Sequence, residues 1–445
     1  MTYDPPIANL SQELIDNIID HIAADSQPGC TGFLGGNLQQ CALVSRSFRP
    51  RSQLQIFSFI HIRGDPSSKR QHIVQNLLQI IHDHPDIAHY IEELSLECTD
   101  LEPSWMYEDP SFLSILECIS TSGKPLRKLT MIADTRADDG FETLPLEDTG
   151  RLLNTFFLPF IAPFITTLSL HRLLNVPIEM VESCVNVTEL ELLEVEFEEW
   201  PDSRHQKLPS AQLQRLAYQL GQGAMSKLLN IVPDGGNSFN AIDVSQLKSL
   251  IIYTDILSDL KCEQKIIDLS IDALEELQLL TTRTACNGRF HASVDLRHST
   301  RLRRLHAHVL FPQDRLVSIL RTLSSVRSFS LGSLVVEAKV AYCDLSEPEV
   351  LLDADWVAFS SEVGRVMAEG SRFEIKMTYL YRKKAAINLY EYEALLQTRC
   401  ESVMVELRRE KINSLENYSH FTCKLSHALE FGTLFEFDTS PYGRD

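Results

Sequence analysis

The chain has 445 residues, of which 44% are hydrophobic and 23% are charged, a composition typical of folded rather than disordered proteins. Its 61 acidic and 41 basic side chains give a formal net charge of -20, and the acidic residues are spread along the chain. Because a nucleic-acid-binding surface must attract phosphate, this charge argues against DNA or RNA as the main partner.

The beginning of the chain carries no sign of export. Its first six residues, Met-Thr-Tyr-Asp-Pro-Pro, have neither the basic start nor the continuous apolar run of a signal peptide. The ten cysteines are scattered without a C-x-x-C pair, which is typical of reduced thiols. The sequence therefore predicts a protein of the cytoplasm or the nucleus.

Residues 10–22 predict a short amphipathic helix, because their apolar side chains recur at helical spacing. The apolar positions are Leu14, Ile15, Ile18, Ile19 and Ile22. Either Asn9 or Ser11 can cap the free backbone N–H groups at the start of this helix. Residues 26–37 contain five glycine or proline residues and predict a loop.

A second helical segment spans residues 38–57, with Pro50 as a break. Its apolar residues are Leu38, Cys41, Leu43, Val44, Phe48, Leu54 and Phe57. Short helices of this kind bury too little apolar area to be very stable alone. We therefore expect them to rest on the next part of the chain or on a partner.

From about residue 90 the chain repeats a six-residue unit, apolar-x-x-Leu-x-apolar, in which the fourth residue is once phenylalanine. The unit occurs at residues 91–96, 126–131, 165–170, 187–192, 213–218, 247–252, 274–279, 302–307 and 326–331. Its fourth and sixth residues are two positions apart, so on a strand both point into a shared core.

Segments of helical spacing lie between the units, at residues 111–120, 151–161, 225–232 and 314–323. Repetition of strand and helix predicts an α/β protein, in which an irregular leucine-rich-repeat solenoid carries parallel strands on one face and helices on the other. The predicted domains are a helical module at residues 1–62, the solenoid at residues 63–380, and a carboxy-terminal helical cap and tail at residues 381–445.

Residues 152–170 contain no charged side chain, yet Asn154, Pro159 and Pro163 argue against a membrane span. We predict a buried helix, a turn and then a strand in this segment, and no membrane contact for the protein.

The last part of the chain departs from the repeat. Residues 355–370 predict a helix that ends at Gly370, and residues 371–381 alternate as a final strand. Residues 385–411 predict a further helix. A terminal unit of different composition is expected, because the open edge of a solenoid must be capped by polar surface.

The amino-terminal segment resembles an F-box, a three-helix module that docks on a Skp-type adaptor of cullin ubiquitin ligases. The resemblance rests on two stretches, LSQELIDNIIDHI at residues 10–22 and CALVSRSFRPRSQLQIF at residues 41–57. It extends to the organisation of large mushroom-type fungal families, in which degenerate leucine-rich repeats follow the F-box. Ser11 stands where those families usually have proline, and Phe48 stands where they commonly have tryptophan.

The resemblance implies a substrate-recognition subunit of a cullin-type ubiquitin ligase, which is not an enzyme and needs no cofactor. It also implies a set of residues that contact the adaptor: Leu10, Leu14, Ile18, Ile19, Val44, Phe48 and Leu54. The alternative hypothesis is a leucine-rich-repeat scaffold or ligand-binding protein without a ubiquitin ligase role.

The outward positions of the predicted strands are the candidate surface for an unknown target protein. This outward strip comprises Glu93, Ser95, Glu97, Thr167, Ser169, His171, Glu189, Glu191, Arg215, Gln219, Tyr253, Glu276, Gln278, Arg304, His306 and His308.

Two further patterns contain residue types that bind metals. His306 and His308 share one face of a predicted strand, but two histidines without a third converging ligand seldom hold zinc. The pair Asp353 and Asp355 precedes a predicted helix, where Asp355 is expected to be the N-cap. The sequence therefore predicts no catalytic residue, no bound cofactor and no metal.

Overall fold

The structure is a computed structural model, and its two compact units are Met1–Ala137 with Glu142–Ala211, and Asp138–Phe141 with Gln212–Asp445. It describes residues 10–25, 34–63, 67–98, 104–133, 135–137, 140–142, 144–198, 211–220, 225, 228–229, 241–254, 261–281, 293–311, 314–341, 352–382, 398, 402, 405–406, 409 and 420–430. The amino-terminal helices thus belong to the same compact unit, unit 1, as the strands that follow them.

Unit 1 begins with three helices: α1 (Gln12–Asp25), α2 (Leu34–Val44) and α3 (Arg49–Ser58). The backbone N–H groups of Leu14 and Ile15 donate to the carbonyl oxygen of Ser11. The Leu14 N–H also lies 3.4 Å from the hydroxyl oxygen of Ser11, so Ser11 caps α1. Pro50 lies in the first turn of α3, where its missing N–H removes no helical hydrogen bond.

The predicted loop at residues 26–37 is wrong for its last four residues, because α2 begins at Leu34 and includes Gly35 and Gly36. A glycine inside a helix costs only about 1 kcal/mol relative to alanine, which packing elsewhere in the helix can offset. Residues 26–33 lie outside the described part of the chain.

The three helices enclose a small apolar core. Its buried members are Ile15, Ile19, Leu38 and Phe48, and the partly buried side chains around them are Ile22, Ala23, Cys41 and Ile56. The Arg51 guanidinium donates to both carboxylate oxygens of Asp20, at 2.7 and 2.6 Å, and so links α3 to α1. This hydrogen bonding, joined by an amide of Gln55, lowers the pKa of Asp20.

Unit 1 contains five parallel strands that pair successively, the first with the second and so on to the fifth. They are β1 (Phe59–Arg63), β2 (Glu93–Cys98), β3 (Lys128–Ala133), β4 (Thr167–His171) and β5 (Glu189–Val195). Parallel neighbours need a crossover connection, and helical segments supply it here. These are α4 (Ser67–Asp83), the 3₁₀ helix Pro85–Tyr90, α5 (Trp105–Glu108), α6 (Pro110–Thr121), α7 (Thr149–Arg151), the π-helix Leu152–Phe157, α8 (Leu158–Phe160) and α9 (Glu179–Glu182).

Two inward rows of side chains run across these strands in register. The first row contains Leu94, Leu129, Leu168 and Leu190, and the second contains Leu96, Met131, Leu170 and Leu192. All eight side chains are buried. The prediction that the fourth and sixth residues of each unit face a common interior is therefore confirmed for these strands.

Unit 2 repeats the arrangement with seven parallel strands. They are β6 (Arg215–Leu220), β7 (Ser249–Thr254), β8 (Glu276–Thr281), β9 (Arg304–Phe311), β10 (Leu331–Ala341), β11 (Met367–Arg382) and β12 (His420–Glu430). The helices of this unit include α10 (Lys261–Leu269), α11 (Val317–Ser325) and α12 (Trp356–Val366). Short strands elsewhere in the chain lie at Thr135–Ala137, Gly140–Glu142, Leu144–Pro145, Leu173–Leu174, Ala211–Gln212 and Ile242–Asp243.

Aromatic side chains pack α12 against the strands of unit 2. Trp356 stacks on Phe311 of β9, with ring centroids 6.4 Å apart. Phe359 lies 6.2 Å from Phe373 of β11, which is the register partner of Leu334 in the inward row. The core of unit 2 thus lies between the inward rows and this helix.

The predicted strand at residues 326–331 is displaced. Strand β10 begins at Leu331, and Phe329, at the expected inward position, is 69% exposed with φ +57°. Leu334 and Val336 occupy the inward rows in its place and are buried. Residues 331–336 satisfy the same six-residue pattern, so apolar spacing alone did not distinguish the two registers.

The carboxy-terminal predictions need two corrections. Helix α12 ends at Val366 rather than at Gly370, and Gly370 lies within β11 with φ +76°, a conformation that favours glycine. The strand at 371–381 exists but is not final, since β12 (His420–Glu430) pairs with it in parallel. Of the predicted helix at 385–411, residues 398, 402, 405, 406 and 409 are helical, and its other residues lie outside the described part.

The uncharged segment at residues 152–170 folds as predicted, with helix up to Phe160, a turn at 161–164 and then β4. Within the described ranges, no helix combines the length and the apolar character needed to cross a membrane.

Two adjacent isoleucines of α1 test this account of the amino-terminal core. Ile19 is fully buried, whereas Ile18 is 41% exposed. Because truncation of Ile19 leaves a cavity, Ile19→Ala should lower the free energy of unfolding by about 2–5 kcal/mol. Ile18→Ala should change it by no more than about 0.5 kcal/mol, as is usual for surface positions. Chemical denaturation measures both values, and equal losses would contradict the assignment of Ile19 to the core.

Candidate functional site

The structure separates the residues that the F-box resemblance assigned to adaptor contact. Leu10, Leu14, Ile18 and Val44 are 37%, 52%, 41% and 58% exposed, so they are available to a partner. Ile19 and Phe48 are buried in the core of α1–α3, and Leu54 is half-buried. A buried side chain cannot reach a partner without unfolding, so Ile19 and Phe48 belong to the framework of the helices instead.

The two faces of α1 explain this division. Ile15 and Ile19 lie four residues apart and point inward, while Leu14 and Ile18 have the same spacing and lie about 100° further round the helix. The apolar stripe is thus wider than the core can cover. Leu43, at the end of α2, is 79% exposed and was not among the predicted contact residues.

A closed polar network occupies the outward strip on β1 and β2. The Glu97 carboxylate accepts hydrogen bonds from Arg63 at 2.9 and 3.1 Å, and it lies 3.0 Å from Nε2 of His61. Nδ1 of the same imidazole lies 3.1 Å from the hydroxyl of Ser95. Ser95 and Glu97 are only 4% and 6% exposed, so this network encloses both residues and leaves them little surface for a target.

Polar pairs continue across the other strands of unit 1. The Ser169 hydroxyl donates to the Glu191 carboxylate at 3.0 Å, and Nε2 of His171 lies 3.5 Å from the same oxygen. Glu93 pairs with Lys128 at 3.3 Å. Glu189 is exposed at the edge of this row, so the accessible part of the strip in unit 1 is mainly acidic.

The strip in unit 2 carries a different set of groups. Arg304 donates to one carboxylate oxygen of Glu276 at 2.7 Å, and the Gln278 amide donates to the other at 2.8 Å. Arg304 is exposed, whereas Arg215 and Tyr253 are half-buried. Gln219 is largely buried at 9% exposure and offers little surface.

Next to these groups, strand pairing brings Glu337 beside His306 and His308. His308 and Glu337 are register partners on β9 and β10, and the Nε2 of His308 lies 3.4 Å from the Glu337 carboxylate. The Nε2 of His306 lies 4.0 Å from the same oxygen. The two imidazole centroids are 5.2 Å apart, with an interplanar angle of 71°. We call these three residues the histidine cluster.

Burial, with the nearby His308, lowers the pKa of His306 to about 3. Burial alone would raise the pKa of Glu337, but hydrogen bonding from His308 and the charge of Lys339 outweigh it and lower this pKa to about 2. At neutral pH the cluster therefore presents a neutral His306 and an ionised carboxylate.

The prediction that Asp355 is the N-cap of a helix is confirmed. The Asp355 carboxylate accepts a hydrogen bond from the Ala358 N–H at 2.9 Å and is the N-cap of α12. This oxygen of Asp355 is therefore occupied by the first turn of the helix.

No protein-family model matches this chain, and a comparison with curated proteins finds no match either.

Substitution of two glutamates of the strip distinguishes a residue that stabilises the fold from one that only contributes to the surface. Glu97 lies in the enclosed network, whereas Glu189 is exposed. Glu97→Ala removes the charged partner of Arg63 and should lower the free energy of unfolding by about 1.5–3 kcal/mol. Glu189→Ala should change it by at most about 0.5 kcal/mol. Urea unfolding curves measure both, and a negligible effect of Glu97→Ala would show that the network adds nothing to stability.

Proposed function

We propose that this chain is the substrate-recognition subunit of a cullin-type ubiquitin ligase in the cytoplasm or the nucleus. In this proposal, the amino-terminal helices are an F-box that binds a Skp-type adaptor. The parallel strands and their helices form a leucine-rich-repeat solenoid that binds a target protein. The observation that carries the proposal is the exposed apolar stripe of α1 beside a core that is already complete.

The stripe supports docking because exposed large apolar side chains at helical spacing are costly in water without a partner. Leu14 and Ile18 lie four residues apart on α1, and Leu10, which is also exposed, lies just before the capping residue Ser11. Covering such a stripe gains roughly 25 cal/mol for each Å² of apolar surface removed from water. Recognition of a helix through side chains at this spacing is a common mode of protein docking.

The inward rows support the proposal of a solenoid. Within each unit, the strands β1–β5 and β6–β12 pair in parallel with their neighbours in this order, and leucine dominates the inward positions of β1–β11. A repeat that buries its flank against the next repeat leaves its outward positions free for recognition. Since Ser95, Glu97 and His308 have little exposed surface, we assign the target contact to the accessible members of the strip in each unit. These are Glu93, Glu189 and Glu191 in unit 1, and Arg215, Tyr253, Glu276, Gln278, Arg304 and His306 in unit 2.

The proposed contribution to ubiquitin transfer is positional. One protein that holds both an adaptor and a target raises the effective concentration of target lysines near the ubiquitin-charged enzyme. This role requires neither a catalytic residue nor a cofactor of the chain's own.

Capture of the full chain by an immobilised, purified Skp-type adaptor tests the docking step. Leu14→Asp and Val44→Asp place a charge on the exposed apolar side chains of α1 and α2. Both should abolish capture, because an unpaired carboxylate in an apolar interface is strongly unfavourable. Val357→Asp is the matched control, since it places the same charge on a 68% exposed valine of α12.

Circular dichroism should show that all three variants remain folded. Undiminished capture of folded Leu14→Asp and Val44→Asp would refute docking through these helices. A wild-type chain that the adaptor fails to capture would do the same. Either result would favour the alternative, a leucine-rich-repeat scaffold or ligand-binding protein without a ubiquitin ligase role.

A further inference from the structure

We propose that His306, His308 and Glu337 bind a divalent transition-metal ion such as zinc on the outward side of β9 and β10. The inference does not depend on the proposed ligase role. It departs from the sequence-based expectation of no metal, because pairing of the two strands supplies the third ligand that the histidine pair lacked.

The distances in the cluster are close to those of a metal site. Zinc lies about 2.0–2.2 Å from nitrogen and oxygen ligands, so ligand atoms at neighbouring corners of a tetrahedron are roughly 3.4 Å apart. The Nε2 of His308 is 3.4 Å from the Glu337 carboxylate, and the Nε2 of His306 is 4.0 Å from it. One candidate ligand atom from each residue lies within 4.8 Å of the other two. The His308 and Glu337 atoms are thus already at the separation of two metal ligands, and the His306 nitrogen must move closer to complete the site.

The backbone that carries the ligands is held from the opposite side of the sheet. His306 and His308 alternate with the buried residues Leu305, Ala307 and Val309 of β9. Glu337 lies between Val336 and Ala338 of β10, which are also buried. Ligands on two paired strands with packed inward rows keep their relative positions, and such preorganisation favours metal binding.

One buried nitrogen of the cluster is available to a cation. The Nε2 of His306 is buried and has no hydrogen-bond partner, which is costly for a polar atom in a folded protein. A bound ion would give the Nε2 of His306 the partner that it lacks.

Two lysines oppose this binding and so provide a further test. The Lys339 ammonium lies 3.9 Å from Oε1 of Glu337, whereas the histidines face Oε2 of the same carboxylate. Lys376 adds a second positive charge near His306. Lys339 therefore competes for the carboxylate without occupying the oxygen that the histidines share.

The chemistry of the ligands selects the type of ion. Two imidazoles and one carboxylate suit zinc and its neighbours in the first transition series, whereas magnesium and calcium prefer all-oxygen sites. Three protein ligands leave one coordination position for a water molecule or another ligand.

Competition with a chromogenic chelator, performed on the metal-free full-length chain, measures zinc binding and its stoichiometry. We expect one tightly bound zinc ion per chain at this cluster. His306→Ala and Glu337→Gln should each weaken binding by about 100-fold or more, at or beyond the roughly 10- to 100-fold effect of losing an outer-shell group. His298→Ala, which removes an exposed histidine of the same unit, should leave the affinity unchanged.

Lys339→Gln should tighten zinc binding by about threefold to tenfold, because it removes a competing positive charge near the carboxylate. This gain cannot result from unfolding, so it keeps the test valid if a ligand variant is unstable. The spectrum of the cobalt-substituted wild-type chain supplies a test that needs no variant. It should show four- or five-coordinate Co²⁺ without thiolate charge-transfer bands.

Failure of the wild-type chain to bind zinc in competition with the chelator would overturn the proposal. The same holds for equal affinities of the wild-type chain and folded His306→Ala. Thiolate bands in the cobalt spectrum would place the ion on cysteines and would also overturn it. The adaptor is absent from these experiments, so their outcome is distinguishable from failure of the docking proposal.

Discussion

The inward rows of apolar side chains, two residues apart on strands β1–β11, are the constraint on which the rest of the structure depends. A shift of one residue in any strand would turn its leucines outward and its charged residues into the core. Register is therefore fixed by burial, as in the pairing of Leu129 with Leu168. Once the rows are fixed, the outward residues of neighbouring strands must also align. The network around Glu97, the pair of Arg304 with Glu276 and the histidine cluster are all consequences of that alignment.

The amino-terminal helices are constrained by the same burial of apolar side chains, but they have too little core to cover their whole apolar surface. Ile15 and Ile19 are buried, and the adjacent Leu14 and Ile18 remain in water. The ion pair of Arg51 with Asp20 fixes α3 against α1 and is lost only when Asp20 is protonated, below its ordinary pKa. Because both groups are about one-third exposed, their pairing adds at most about 1 kcal/mol. The module is thus held mainly by its apolar core, and its exposed stripe is the basis of the adaptor proposal.

The sequence predicted the features that depend on local periodicity. These include the amphipathic α1, most of the strands, the helix α6 and the cap at Asp355. It failed where two registers satisfied one pattern, as at Phe329 and Leu334, and where glycine was taken to exclude helix, as at Gly35. The neighbours of a residue on another strand cannot be read from spacing alone. The enclosure of Glu97 and the approach of Glu337 to His308 both depend on such pairing and became visible only with the structure.

Substitution of two neighbouring residues of β4 by aspartate tests the inward rows most directly. Leu168 is fully buried in the first row, and Thr167 is the next residue on the outward side and half-buried. Leu168→Asp should lower the free energy of unfolding by more than about 4 kcal/mol or prevent folding, because it buries an unpaired charge. Thr167→Asp should cost less than about 1 kcal/mol. Urea denaturation that shows similar losses for both variants would contradict the stacked inward rows.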